Sequence, residues 1–464
     1  MQDLASRSYW LGMDEYVPSD PLAGDVQVDV AIVGGGFTGL WTAYLLLKQD
    51  PNLRVAVLEA NAVGYGASGR NGGFAMTLVH RTLSQLAQHV GDAEARKVYL
   101  AAKQAIEHLN KTVETESIAC DLQPNGLIVV SDSPPQDRVV EREVETARRL
   151  GLEADFRFLD REAARSRIHS ERIRCGFREE VCSLVNPARL ARGLKAVVER
   201  LGGRFYEATP VRSWEERADG VLLATPRGKV SAERALVAGN AYGTAWKPTR
   251  DTILPFYSYI CLTRPLRDAE WEAVGWAGRE GAEDRRSGLH YFRPTIDGRI
   301  LWGGRDPAFH PDGPKAEYDS DEYVFRRLRE SFEWFFPQLR DVPFEHRWGG
   351  PIALTGNFLP AVGWLDERRR RVAFAHGYSG HGVAICNVAA HALADLLSDR
   401  KSEWTDLVFV GRQAPGLGPR FLRDPLIRSA LKGQIRADDE ERPIQDPLVL
   451  RVLSRLGGDS TRKR

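Results

Sequence analysis

Between residues 28 and 60 the apolar positions change their period twice. V-x-V-A-I-V crowds apolar side chains up to Val33, and three glycines and an apolar run of about three helical turns lead to R-V-A-V-L-E, ending on Glu59. The pattern predicts strand, tight turn, helix, strand: a mononucleotide-binding βαβ unit. From Asp92 to Val113, the residues Val98, Ala102, Ile106, Leu109 and Val113 recur at steps of four and three and predict one buried helical face. "PNGLIVVSD" at 124–132 reads as a strand, and "QDRVVEREVETARRLG" as a surface helix closed by Gly151. "NPARLARGLKAVVERLGG" is fully punctuated, with Asn186 at the N-cap, Pro187 at the first helical position and Gly202 just past the end.

"GRFYEATPV", "GVLLATPRGKV" and "AERALVAGN" then read as three short strands returning the chain to its first unit. Between 251 and 345 longer strands predict an antiparallel sheet. They include "ILPFYSYICLT" and a hairpin "GLHYFRPTIDGRILWGG" that turns at Asp297-Gly298. "VAFAHGYSGHGVAICNVAAHALADLLSD" predicts a strand, a glycine-rich turn and a helix apolar on nearly every side, and therefore buried.

At 464 residues the chain exceeds one ordinary core, so two interleaved domains are expected. Charges are mixed and the net charge is +1, which leaves no electrostatic footprint for nucleic acid or an acidic membrane and favours a small-molecule ligand. The polar, acidic start and the lack of a long apolar run predict a cytoplasmic protein with no membrane partner. Five cysteines without C-x-x-C spacing read as inert thiols, with no disulfide framework and no metal site. "DERRRR" at 366–371 reads as a solvated hairpin tip and "STRKR" as a frayed tail.

Gly34, Gly36 and Gly39 form G-x-G-x-x-G between a strand and a helix, with Glu59 twenty residues beyond. Gly34 suits the tight turn, Gly36 lets the backbone approach a pyrophosphate, Gly39 lets helix pack on strand, and the helix N-terminus favours negative charge. Glu59 would accept from ribose hydroxyls and repel a 2'-phosphate, leaving NAD and FAD. "GYGASGRNGGF" at 64–74 adds small residues suited to a flat polar ligand, as would a plain flexible loop. In "HGYSGHGV" at 376–383, Gly377, Gly380 and Gly382 precede the buried helix, whose N-terminus suits a developing anion. His381 reads either as a base or as a positional hydrogen-bond partner.

With "VDVAIVGGGFTGLWTA", "VLEA", "GYGASGRNGGF", "ALVAGNAYGT" and "FAHGYSGHGVA" in this order, the chain resembles the D-amino-acid oxidase superfamily of FAD flavoproteins, in particular its amine-oxidising branch with γ-glutamylputrescine oxidase and aminophosphonate oxidoreductases. The resemblance implies a mixed α/β fold. A Rossmann-like FAD domain of the glutathione-reductase type would take 1–80, 170–250 and 345–405. A substrate domain with a mixed, largely antiparallel sheet would take 81–169 and 251–344, before a C-terminal extension at 406–464. It also implies cofactor contacts. Gly34, Gly36, Phe37, Thr38, Gly39, Glu59 and Ala60 would hold the ADP part. Gly66, Ala67, Ser68, Arg70, Asn71, Gly72 and Gly73 would hold the pyrophosphate and flavin edge. Val211 would meet the adenine side, Gly239 the middle, and Gly377, Tyr378, Ser379, Gly380, His381 and Gly382 the pyrimidine end.

Relatives of the glycine and D-amino-acid oxidase type place a carboxylate-binding arginine before the last strand, whereas "HRWGGPIALTGNFLP" at 346–360 lacks that pattern. No cysteine in this stretch and no histidine in "GASGRNGGF" offers covalent attachment, so FAD is expected to be non-covalent. Substrate-side candidates are Tyr257, Tyr259, His290, Arg293, Trp348 and His381, each also readable as core; no general base is assigned. Strict alternation sets His290 and Phe292 on one face and Tyr291 and Arg293 on the other. Arg293 or Arg305 suits a remote carboxylate or phosphonate.

The expected reaction is oxidation of the CH–NH bond of a primary or secondary amine, such as a γ-glutamyl-polyamine or aminoalkylphosphonate. Hydride passes to flavin N5, the imine hydrolyses to an aldehyde, and O2 is the expected acceptor. The rivals are a flavin dehydrogenase with another acceptor, an NAD-dependent dehydrogenase and a non-catalytic flavin-binding protein.

Overall fold

The computed structural model describes residues 3–79 and 82–441. The tail "STRKR" lies outside the described residues. Val26–Val33 is the central strand of an eight-stranded sheet, parallel to Val55–Leu58 on one side and to Gly228–Val237 on the other. Arg204–Tyr206 extends the sheet beyond Val55–Leu58, and Val372–His376 extends it beyond Gly228–Val237, both again parallel. Val30, Ala31, Ile32 and Val33 are buried on both faces, as a parallel strand covered on two sides requires. Helix Phe37–Gln49 and helix Gly382–Leu397 pack in the same core, the latter buried on nearly every side.

The second sheet has nine strands, with Leu254–Thr263 paired along its length with Phe344–Leu354. Its pairings are antiparallel except where Gly281–Asp284 meets Leu127–Ser131. One face packs on helix Glu322–Phe335 through Phe292, Trp302, Phe332 and Phe335. The hairpin between His290–Pro294 and Ile300–Gly304 turns where Gly298 N donates to Thr295 O at 3.0 Å, with Gly298 at φ +80°. Only glycine holds that angle without strain.

Helix Pro187–Arg200 begins as its punctuation predicts: Asn186 Oδ1 accepts from Arg189 N at 3.1 Å. Other segments differ from expectation. Ser213–Glu216 is a strand despite its charged, half-exposed residues, because it pairs with Val221–Thr225. "GKV" and "AERALV" join into one strand, Gly228–Val237. Cys175–Glu179 and Phe344–Leu354 fall within segments expected beside the first sheet but pair in the second, on the free edges of Leu127–Ser131 and Leu254–Thr263. Beyond the last glycine motif, helix Arg420–Asp439 returns to the second sheet and seats Ile427 on Leu254, Phe256 and Phe309. Among the described residues no helix is long and apolar enough to cross a membrane.

Candidate functional site

A cavity of about 340 Å3 opens at the carboxyl end of Val26–Val33, where an open α/β sheet places its ligand. Gly34, Gly36, Phe37 and Thr38 line it from the first turn, with Glu59 and Ala60 beside them. Gly34 has φ +115°, and a Cβ there would stand 2.8 Å from Ala238 O. A Cβ on Gly36 would meet Ser68 Oγ at 3.0 Å, the same hydroxyl that accepts from Phe37 N at 2.9 Å. The second glycine motif is thereby stitched to the N-terminus of the helix in the first. The Glu59 carboxylate accepts from Gly35 N at 2.7 Å and Asn61 N at 2.9 Å. Burial raises its pKa, and those N–H bonds oppose the rise.

Gly66, Ala67, Ser68 and Asn71 form a further wall, Val211 and Gly239 another, and Tyr378, Gly380 and Gly382 close the inner end. Tyr378 OH lies 2.7 Å from Thr38 Oγ1, tying the first motif to the third across 340 residues of chain. Cys386 also lines this cavity, but burial pushes its thiol up to about 12, which leaves it a poor nucleophile.

A second cavity, of about 250 Å3, shares Ala67, Asn71, Pro351, Ile352, Gly380 and Val383 with the first. Its walls are mainly apolar, including Phe74, Met76, Phe256, Ile260 and Phe358. Each ionic group in its lining has a partner. Arg70 Nη1 donates to Asp319 at 2.8 Å, Glu283 pairs with Arg285, and Arg305 pairs with Asp306 and Asp439. Tyr291 OH and Ser258 Oγ stand 3.1 Å apart in the wall, and burial lifts the tyrosine to about 12, so it keeps its proton. His381 is half-buried with Nδ1 unpartnered; burial, then the charge of Arg285, holds its imidazole down at about 4. It is neutral near pH 7.

Arg70, Gly72, Ser379 and His381 line the second cavity rather than the first. Gly39, Gly73 and Gly377 line neither and act through close packing: a Cβ on them would fall 2.1 Å from Gly34 O, 2.1 Å from Val185 O and 2.3 Å from Thr355 Cγ2 respectively. The substrate-side expectations need more correction. Tyr257 and Tyr259 face the opposite layer, where their hydroxyls donate to Lys315 O at 2.9 Å and Tyr318 O at 3.0 Å. Their neighbours Phe256, Ser258 and Ile260 line the cavity instead. His290 is buried, with Nδ1 2.6 Å from Asp284 and its ring near Trp302.

Arg293 is buried and donates to Gly72 O, Gly73 O and Val185 O, bracing the glycine loop from behind. Trp348 Nε1 donates to Arg70 O at 2.8 Å and braces the same loop. Of the two arginines suited to an anion, Arg293 is thus spent on carbonyls and Arg305 on carboxylates. Arg347, on the strand where relatives would carry the clamp, pairs with Glu322 on the outside. The sequence reading missed Ser258, Glu283, Ser287, Leu431 and Gln434 as cavity residues, and set Tyr291 on a face without choosing that face.

The family model described as DAO, FAD dependent oxidoreductase, matches residues 29–396. The chain is 30% identical over 383 residues to a probable oxidoreductase OrdL of Rhizobium meliloti (strain 1021), covering 82% of this chain and 86% of that one. It is 30% identical over 405 residues to the gamma-glutamylputrescine oxidoreductase of Escherichia coli (strain K12), covering 86% and 90%. The fold is similar to that of glycine oxidase from Geobacillus kaustophilus, with a TM-score of 0.68 at 20% identity over 81% of this chain and 96% of the other.

Proposed function

The chain belongs to the DAO family of FAD-dependent oxidoreductases, and from that premise we propose that it oxidises the C–N bond of an amine whose reacting end carries no carboxylate. The larger cavity would take the ADP part of FAD, with Gly34, Gly36 and the N-terminus of Phe37–Gln49 at the pyrophosphate and Glu59 at the ribose. The flavin ring would lie where the two cavities share walls, with the amine in the smaller one. Bound non-covalently, FAD supplies the two-electron acceptor for the amine's C–H.

The observation that carries this reading is the smaller cavity's apolar wall with no unpaired cation among the described residues. A carboxylate or phosphonate there would find no free arginine, while an apolar wall lowers an amine's pKa and favours its neutral form. His381 and Tyr291 both stand uncharged, so neither draws off the substrate's charge. They orient it as hydrogen-bonding groups, His381 through its neutral imidazole and Tyr291 through its hydroxyl.

Anaerobic mixing of the holoenzyme with primary and secondary amines, following flavin absorbance, tests the reading. Reduction by amines but not by the matching α-amino acids supports it; bleaching by α-amino acids alone overturns it. Admitting O2, or a quinone in its place, then identifies the acceptor.

A further inference from the structure

Helix Arg420–Asp439 lies outside the region the family model matches, yet it forms part of the substrate-side cavity. Ile427, Leu431, Gln434 and Asp438 recur at steps of four, three and four and so share one helical face. Ile427 anchors in the second sheet's core, and Leu431 and Gln434 line the cavity. At the rim, the Asp438 carboxylate accepts from Ser287 N at 3.0 Å and Gly288 N at 2.8 Å. Asp439 pairs with both Arg305 and Arg327. These contacts fix the helix against the strand that carries Tyr291.

Gln434 is 7% exposed, and its amide makes no hydrogen bond to any described residue. With no partner among the described residues, the amide takes its hydrogen bonds from the cavity it lines, from water or from a ligand that displaces it. We propose that Gln434 is a specificity-determining residue that recognises an uncharged hydrogen-bonding group, a hydroxyl or carboxamide, at the end of the substrate remote from the reacting amine. The inference rests on the amine reading above and adds to it the chemistry of the far end. An amide offers both a donor and an acceptor, which suits a neutral polar tip. An anionic tip would find no free cation among the described residues, because Arg70 and Arg305 in the lining are already paired with Asp319, Asp306 and Asp439.

Straight-chain amino alcohols with about three to six methylenes, each paired with the alkylamine of equal length, are the probes. Anaerobic titration reads binding through the perturbed flavin spectrum, and stopped flow reads reduction. The holoenzyme is expected to bind the best amino alcohol at least about tenfold more tightly than its methyl-ended partner, the discrimination a buried hydrogen-bonding site commonly gives. Gln434→Leu and Gln434→Met should each erase that preference, and an ω-amino acid of the same length should bind more weakly than the alcohol. Flavin content and Tm report whether either variant has lost its fold, and either one folded suffices for the test.

A preference that survives in a folded variant, or that the wild type lacks, overturns the assignment of Gln434. Binding that depends on Gln434 without flavin reduction would uphold the assignment and overturn the amine oxidation. Reduction that ignores Gln434 would do the reverse. If no probe binds or reduces the flavin, both fail.

Discussion

At the scale of single residues, two glycines of the motifs are required for opposite reasons. A methyl on Gly39 would press to 2.1 Å from Gly34 O, so Gly39→Ala must push the helix off the strand. Gly380 has open space where a Cβ would stand but φ +91°. Gly39→Ala is expected to yield protein lacking flavin with a Tm lower by several degrees, whereas Gly380→Ala should cost about 1–2 kcal/mol through backbone strain and retain flavin. Flavin stoichiometry and thermal melts on both variants decide; equal flavin loss in the two would contradict the distinction. A third residue carries a pH dependence. Glu179 is buried beside Thr77 and Tyr99, and burial raises its pKa from 4.5 to about 8. A carboxyl with a raised folded pKa stabilises fully below its unfolded value, and that contribution is lost as pH rises through the folded one. Glu179→Gln should therefore gain Tm on the wild type progressively between about pH 5 and pH 8. A gap that stays constant across that range would refute the assignment.

At the scale of elements, helix Pro187–Arg200 shows what local signals accomplish. Asn186 is buried and caps the helix, and its Nδ2 also reaches Asp121. Asn186→Ala should lower unfolding stability by about 1 kcal/mol or more in urea, without changing the flavin spectrum. A loss well below half that would mean the cap is redundant. The same locality explains what is legible in the sequence. The βαβ unit, the helix Asp92–Thr115 and the buried helix Gly382–Leu397 each declare themselves within one stretch by period and punctuation. Strands declare two faces but not which face meets the ligand. Tyr257 and Tyr259, expected at the site, lie behind it, because their rings fill the layer under Glu322–Phe335 and leave Ser258 facing the cavity. Alternation on His290–Pro294 holds, and only tertiary packing selects the Tyr291 face. Gln434 is illegible for a different reason: it carries no motif, and only the return of its helix to the second sheet gives it a place.

At the scale of the whole molecule, the third glycine motif lies far along the chain from the first two, and the structure gathers all three around two adjoining cavities whose walls come from both sheets. A cofactor spanning them would bind the native arrangement and not the unfolded chain, so it must raise stability by mass action. At a hundredfold excess of FAD over its Kd the gain is about 2.7 kcal/mol. Flavin-stripped protein should accordingly melt lower than holoenzyme and recover its Tm in a concentration-dependent way on adding FAD, with no comparable effect from NAD. The expectation that FAD is held without a covalent bond makes a companion prediction. Cys386 is a cysteine in the cavity wall, and burial keeps its thiol protonated. Precipitating the holoenzyme with acid should therefore leave the yellow colour in the supernatant. Flavin remaining with the pelleted chain, and lost from it in Cys386→Ser, would show that the thiol is bonded to the cofactor after all.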